Sequence, residues 1–495
     1  MDTLGLIGLV PFLVLFAGLV ATRLPSYIIG FSTLGLTSAL AFFLWKTPIA
    51  SIGFGIAEGF LLAIIPILWV IFAAVLTYYL GVESGAIDII KKSLGKITPD
   101  RNVQAVVIAF CLGGFLESVA GFGTAVAIPA AMLIALGFNP VRSSIISLVA
   151  NSVPVAFGAL GIPVIILAKI TSLDLALLSK YVVIQLAPFA ILVPVALLVI
   201  ANGSFKGIRK SLPDALFIGI VFTITQTLVG LFVGPELVAV AGSLVSMILF
   251  IVVKRMTTKN RVESTEHPKE LFIAVINYLV LLVLVLSTRL IHIAPLTDVP
   301  FTVNVPVGTH HVTIDWLTTP GTLLVISALI GALIQGLSLK SIVSIAGSSA
   351  RKIAPSALTI LSIVALAKVM GYSGIIQSVA LTLSTVSGAA YPLIAPLIGA
   401  LGTFVTGSDT SSNILLGELQ KNAAINTGYD SAWITASNTS GATAGKMISP
   451  QSIAVAAATV GLKNEREIIR TTVYYCVGYA LILGVYVFMV AKFVL

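Results

Sequence analysis

Runs of apolar residues, each long enough to cross a bilayer and broken by charges or by Pro and Gly, recur along the whole chain. They predict helical spans at 4–21, 27–45, 54–80, 142–168, 181–201, 214–233, 235–253, 271–290, 320–336, 354–371, 430–460 and 471–494. Two further segments, 103–137 and 391–427, break the rhythm. Each has about 35 residues, too many for one span and too few for two spans of about 20 with a turn. Each carries a glycine-rich polar stretch in its middle, Glu117-Ser-Val-Ala-Gly-Phe-Gly-Thr124 and Thr406-Gly-Ser-Asp-Thr-Ser-Ser-Asn413. Non-helical backbone survives at membrane depth only when it is buried in protein or faces a watery cavity. Both segments therefore read as re-entrant hairpins that enter and leave on one side.

The distribution of basic residues supports that choice. With two hairpins and the N-terminus outside, the inner loops collect most of the 28 lysines and arginines, including Lys206, Arg209, Lys210 and the cluster from Lys254 to Lys269. A single crossing at 103–137 would turn both clusters outward. The expected fold is thus an all-α polytopic membrane protein with about 12 transmembrane crossings plus two re-entrant hairpins. Composition agrees: 58% of the 495 residues are hydrophobic, 9% are charged, and the mean hydropathy is +1.10. A soluble enzyme and a disordered or fibrous chain are excluded. The net charge of +9 follows from the basic inner loops and needs no nucleic acid. Cys111 and Cys476 sit in separate apolar runs and form neither a disulfide framework nor a metal-binding spacing. Met1–Val20 lacks a basic region before its apolar run, so neither a cleavable signal peptide nor a transit peptide is expected; a plasma membrane is the expected location.

The two halves also match weakly at a nearly constant offset. Pro66 pairs with Pro355, Ser84-Gly85 with Ser373-Gly374, Gly113 with Gly402 and Phe115 with Phe404; later, Asn151 pairs with Asn438, Gly158 with Gly445 and Pro163 with Pro450. The matched residues are mostly helix breakers, and the two hairpins open to opposite sides. An inverted repeat is expected, 1–201 against 271–495, with 202–270 supplying two linking spans and an inner loop. Such repeats with interrupted helices mark secondary transporters that bind substrate near the midplane.

Candidate chemistry gathers where the breaks meet. Four elements are expected there: the two hairpin tips, the break Asn151-Ser-Val-Pro154 with Gly158, and a break from Asn438-Thr-Ser-Gly441 to Pro450. Broken helices leave backbone groups free, and half-helix N-termini favour anions. Ser118, Gly121, Gly123, Thr124, Asn151, Ser152, Ser408, Thr410, Ser411, Asn438, Thr439 and Ser440 are the candidate substrate-binding residues; for any one of them the plain alternative is helix capping. A charge at the bilayer centre costs roughly 2.5–3.5 kcal/mol, so embedded charges point to function. Glu117 and Asp409, one at each tip, are the candidate proton carriers. Lys446 is the candidate for holding a substrate carboxylate, or for pairing with Asp409 when the site is empty. Lys368 ranks behind it, because it sits near a span end and can snorkel to the surface. All four histidines lie in loops, with His310-His311 in a solvated turn, so no buried histidine relay or metal site is expected. Neither is a cofactor, and no Walker A pattern occurs.

At these tips and breaks the chain resembles the lactate permease family. The stretches that carry the resemblance are Gly114-Phe-Leu-Glu-Ser-Val-Ala-Gly-Phe-Gly-Thr-Ala-Val-Ala-Ile-Pro129, Gly407-Ser-Asp-Thr-Ser-Ser-Asn413 and Ala436-Ser-Asn-Thr-Ser-Gly-Ala-Thr-Ala-Gly-Lys-Met-Ile-Ser-Pro-Gln451. The resemblance implies proton symport of L-lactate, glycolate and similar small 2-hydroxy monocarboxylates by alternating access. It also implies kinship with the ion-transporter superfamily. Two rival readings are a sodium-coupled carboxylate carrier of the same architecture and a small-anion channel. A membrane enzyme lacks any nucleophile–base pair. The chain leaves monomer and homodimer equally open.

Overall fold

The computed structural model describes residues 3–22, 24–89, 98, 100–119, 123–257, 268–290, 302–307, 310–315, 320–462 and 466–494. Seven of the described helices are long and apolar enough to cross a membrane, or eight if the bent pair Leu339–Ala354 and Ala357–Tyr372 is one span. Shorter apolar helices of 10–17 residues occupy several of the other expected spans, Tyr27–Phe43 and Ile49–Ile65 among them. The chain is a multi-pass membrane protein. On the Leu212–Phe232 helix, Ile220, Ile224, Leu228 and Leu231 are all exposed at helical spacing. Such a stripe is a liability in water and an ordinary surface in lipid.

Burial separates the spans into two kinds. In Arg101–Val119 and Pro154–Thr171, 89% and 94% of the most apolar window is buried in protein, against 33–56% for the other five. These two helices form the interior. Both are irregular. Arg101–Val106 passes through a π-helical stretch, Val107–Leu112, before Gly113–Val119. Residues 120–122 lie outside the description, and Thr124–Ala135 then starts from Gly123, whose φ of 86° favours glycine. In the second half Tyr391–Thr406 ends at Gly407 (φ 71°) and Asp409–Thr427 begins two residues later.

Other breaks recur at matching places. Ala63–Leu68, around Pro66, is π-helical, and the helix Leu339–Tyr372 bends by 51° around Pro355. Proline removes a backbone donor and crowds the preceding turn, so helices kink or rewind there. Gly85 follows the helix Trp69–Glu83 that continues from the first of these, and Gly374 follows the second, with φ of 77° and 79°.

The expected break from Asn438 to Pro450 is confined to its far end. Ser431–Lys446 is one unbroken helix, and the chain leaves it only at Met447–Ser449 before Pro450–Thr459. Gly441 and Gly445 therefore do not bend this helix. They let it lie backbone to backbone on Tyr391–Thr406: a Cβ at Gly441 would collide with the Pro396 carbonyl, one at Gly445 with the Ala400 carbonyl, and one at Gly399 with the Asn438 carbonyl. This is the small-residue packing that membrane helices use for close approach.

Among the described residues the departure from helix is an antiparallel pair, Thr302–Val307 with His310–Asp315. Alternating valine and threonine favour a strand there. His310 and His311 stand in that strand, opposite Val307 and Pro306, and not in a turn.

Gly441→Val is expected to cost about 3 kcal/mol or more through overpacking, measured as a lower unfolding temperature of purified protein in detergent. Gly478→Val, where a Cβ meets nothing, is expected to leave that temperature unchanged. Equal behaviour of the two variants would contradict the close packing.

Candidate functional site

The innermost helices bring their polar residues into one buried region. At the turn between Tyr391–Thr406 and Asp409–Thr427, Ser408 caps the second helix by accepting from the Ser411 amide at 3.3 Å. Asp409 is buried, and both its oxygens face the Thr439 hydroxyl, at 2.8 and 2.9 Å. Behind that contact runs a continuous chain of side-chain hydrogen bonds. Tyr391 OH donates to Gln420 Oε1 (2.7 Å), Gln420 Nε2 to Asn438 Oδ1 (3.2 Å), Asn438 Nδ2 to Asn413 Oδ1 (2.9 Å), and Asn413 Nδ2 to Thr439 Oγ1 (2.8 Å). The second protons of Asn413 and Gln420 reach the Pro163 and Ala395 carbonyls. Every link donates toward Asp409, which ends the chain at the Thr439 hydroxyl.

Glu117 stands in contrast. It lies on Gly113–Val119 at 5% exposure, and its Oε2 has no hydrogen-bond partner. It faces the Asn151 side chain without closing a hydrogen bond, and both polar atoms of that amide are also unpartnered. Its Oε1 lies 2.9 Å from where a Cβ at Gly158 would stand, so glycine there leaves the carboxyl its space. The backbone beside it is strained. Ala159, Leu160 and Gly161 are consecutively left-handed, with φ of 43°, 61° and 79°. For the two non-glycine residues this costs roughly 1–2 kcal/mol each. Strain of this kind concentrates at ligand sites.

Lys446 closes the region. Its ammonium donates to the Gly407 carbonyl at 2.6 Å. Its charge interacts with those of Glu117 and Asp409, and the two carboxyls interact with each other. The expected ion pair of Lys446 with Asp409 is not formed; the ammonium donates to the Gly407 carbonyl and the carboxyl meets the Thr439 hydroxyl.

The remaining expected residues divide. Ser118 and Ser152 donate back to the Gly114 and Val149 carbonyls at 2.6 and 2.7 Å, which leaves them structural here. Ser440 is fully buried with a free Oγ. Asn438 and Thr439 belong to the hydrogen-bonded chain and not to an open break. Thr410 is half-buried, Ser411 is buried, Gly123 precedes the helix that starts at Thr124, and Gly121 lies outside the described residues. Lys368 does not snorkel: it pairs with Glu58 at 2.8 Å, and Glu58 also accepts from Tyr372 OH at 2.5 Å. A partner more than 300 residues away in the chain holds it.

Several contributors were not anticipated. Asn413 and Gln420 are seven residues apart on one helix face, a spacing legible in the sequence. Tyr391 and Gln451 gave no such signal. The Pro450–Thr459 helix touches both glycines, with Gln451 against Gly407 and, one turn on, Val455 against Gly123.

Known proteins with this chain's features decide its kinship. The L-lactate permease family model matches residues 5–298 and 271–494. The chain belongs to the L-lactate permease family. It is 39% identical to the L-lactate permease of Streptococcus iniae, over 85% of this chain and 88% of that one. It is 33% identical to the glycolate permease of Escherichia coli K12, over 97% and 94% respectively. The solved structure of Neisseria gonorrhoeae MtrF, described within a class of antimetabolite efflux pumps, is similar with a TM-score of 0.55 at 14% identity, over 98% of each chain. At that identity the likeness concerns the fold alone. These relatives are permeases, and the chain is a transporter, not an enzyme.

Thr439→Val strips the Asp409 carboxylate and the Asn413 amide of their shared partner. A loss of about 2–3 kcal/mol is expected, read as reduced thermal stability in detergent, whereas Thr439→Ser stays near wild type. Equal stability of Thr439→Val and wild type would contradict the role of the chain.

Proposed function

We propose that this protein imports L-lactate and related small 2-hydroxy monocarboxylates such as glycolate across the cell membrane by proton symport. The observation that carries the reading is the Glu117–Asn151 pair: a buried carboxyl and a buried amide, side by side and unpartnered, within reach of the Lys446 charge. A 2-hydroxy acid offers a carboxylate and an adjacent hydroxyl. Lys446 suits the first, and the amide of Asn151, with both a donor and an acceptor free, suits the second. The names of the relatives, lactate and glycolate permeases, agree with that chemistry.

The two carboxyls take different parts. Asp409, held as an acceptor by Thr439, is a fixed negative charge that positions Lys446. Glu117, with a free oxygen, is the group able to take up a proton and offset the charge of the anion. Lys446 moves from the Gly407 carbonyl to the substrate carboxylate and thereby releases the second tip. The loaded site then changes its exposure from one side to the other.

This reading includes the architecture. Residues 103–137 and 391–427 are re-entrant hairpins within an inverted repeat of 1–201 and 271–495, joined through 202–270, with 12 crossings in all. The recurrence of distortions at Pro66 and Pro355, and of left-handed glycines at 85 and 374, supports it.

The test uses purified protein in liposomes with an imposed inward proton gradient. Wild type is expected to concentrate labelled L-lactate above equilibrium, with uncoupler abolishing this and sodium making no difference. Glu117→Gln, which mimics a permanently protonated carboxyl, is expected to lose accumulation and keep lactate counterflow. Accumulation by that variant, or a sodium requirement in wild type, would overturn the proposal. Lys446→Gln is expected to weaken lactate binding by roughly 2 kcal/mol, a rise in Kd of about thirtyfold, measured by titration calorimetry. Unchanged affinity would remove Lys446 from the site.

A further inference from the structure

Buried serine and threonine in this chain ordinarily bond back to their own helix. Thr33, Thr37, Thr77 and Thr171 each donate to the carbonyl four residues earlier, and so does Ser144 on the Pro140–Ala150 helix. Ser143 and Ser147 on the same helix break the pattern. Both are fully buried, and neither hydroxyl has a partner. The next position in that row is Asn151, whose amide is equally unpartnered, and beside it is the free oxygen of Glu117.

Residues 143, 147 and 151 are four apart, so they share a helix face and rise about 6 Å per step. A water hydrogen-bonded to two groups spans about that distance. Buried hydroxyls without protein partners are the places where internal water is found, since leaving them dry carries a desolvation penalty. The row begins at the protein surface: Asn139 is exposed and Pro140 half-buried. The two guanidinium groups near that mouth are engaged with protein, Arg142 with the Ala201 carbonyl and Arg101 over the Phe138 ring.

We propose that Ser143, Ser147 and Asn151 line a file of water molecules that conducts protons between Glu117 and the solvent at the Asn139 end of the helix. The ligand is water and its protonated form. This rests on Glu117 being the proton carrier, and it adds the route by which the proton arrives or leaves.

Ser147→Val removes the hydroxyl at mid-path and fills its space, while Ser147→Thr keeps the hydroxyl. In liposomes, Ser147→Val is expected to slow net proton-driven lactate uptake by about tenfold, the effect of losing one hydrogen-bonded link. Lactate–lactate exchange, which needs no net proton movement, is expected to stay within about twofold of wild type. Ser147→Thr is expected to match wild type in both assays. Wild-type net uptake by Ser147→Val, or an equal fall in net uptake and exchange, would overturn the path and leave the proton-symport reading intact. Wild-type uptake indifferent to the proton gradient would overturn both.

Discussion

The chain of hydrogen bonds from Tyr391 to Asp409 constrains the whole central region. It ties the Asp409–Thr427 helix to Ser431–Lys446 through Asn413, Asn438 and Thr439, and to the strained 159–161 turn through the Pro163 carbonyl. Buried polar groups in an apolar interior are stable only when each finds a partner. Here each donor has one orientation that serves, so the order of the chain fixes Asp409 as its terminal acceptor. Close backbone packing at Gly399, Gly441 and Gly445 supplies the proximity those bonds require.

Against that satisfied network, the unsatisfied groups gain meaning. Glu117 and Asn151 lie next to it, equally buried, yet without partners. The same interior thus holds one carboxyl hydrogen-bonded to a network and one with an oxygen left unpartnered. The left-handed Ala159 and Leu160 add local strain beside the second of these. A site that is rigid on one side and incomplete on the other is suited to a ligand that completes it.

Much of this region was legible in the sequence because helix breakers and embedded charges are rare in apolar runs. Glu117, Asp409, Lys446 and Asn151 stood out for that reason, and the geometry brings them together. The unbroken helix through Asn438–Gly441 has a clear physical origin. Asn, Thr, Ser and Gly in succession suggest an unwound helix when read locally, but the Asn438 and Thr439 side chains bond across to Asn413 and Asp409, and Gly441 serves packing. Tertiary contacts outweighed local propensity. The Lys368–Glu58 pair was unreadable because its members come from opposite halves of the chain, and only the fold sets them 2.8 Å apart.

The central claim is the division of labour between the two buried carboxyls, Glu117 exchanging a proton and Asp409 remaining ionised. Infrared difference spectroscopy of the purified protein, recorded while pH is stepped and lactate is added, reads the protonated-carboxyl stretch directly. The account predicts a band that responds to both in wild type, persists in Asp409→Asn and is absent in Glu117→Gln. A band that survives in Glu117→Gln and disappears in Asp409→Asn would contradict it.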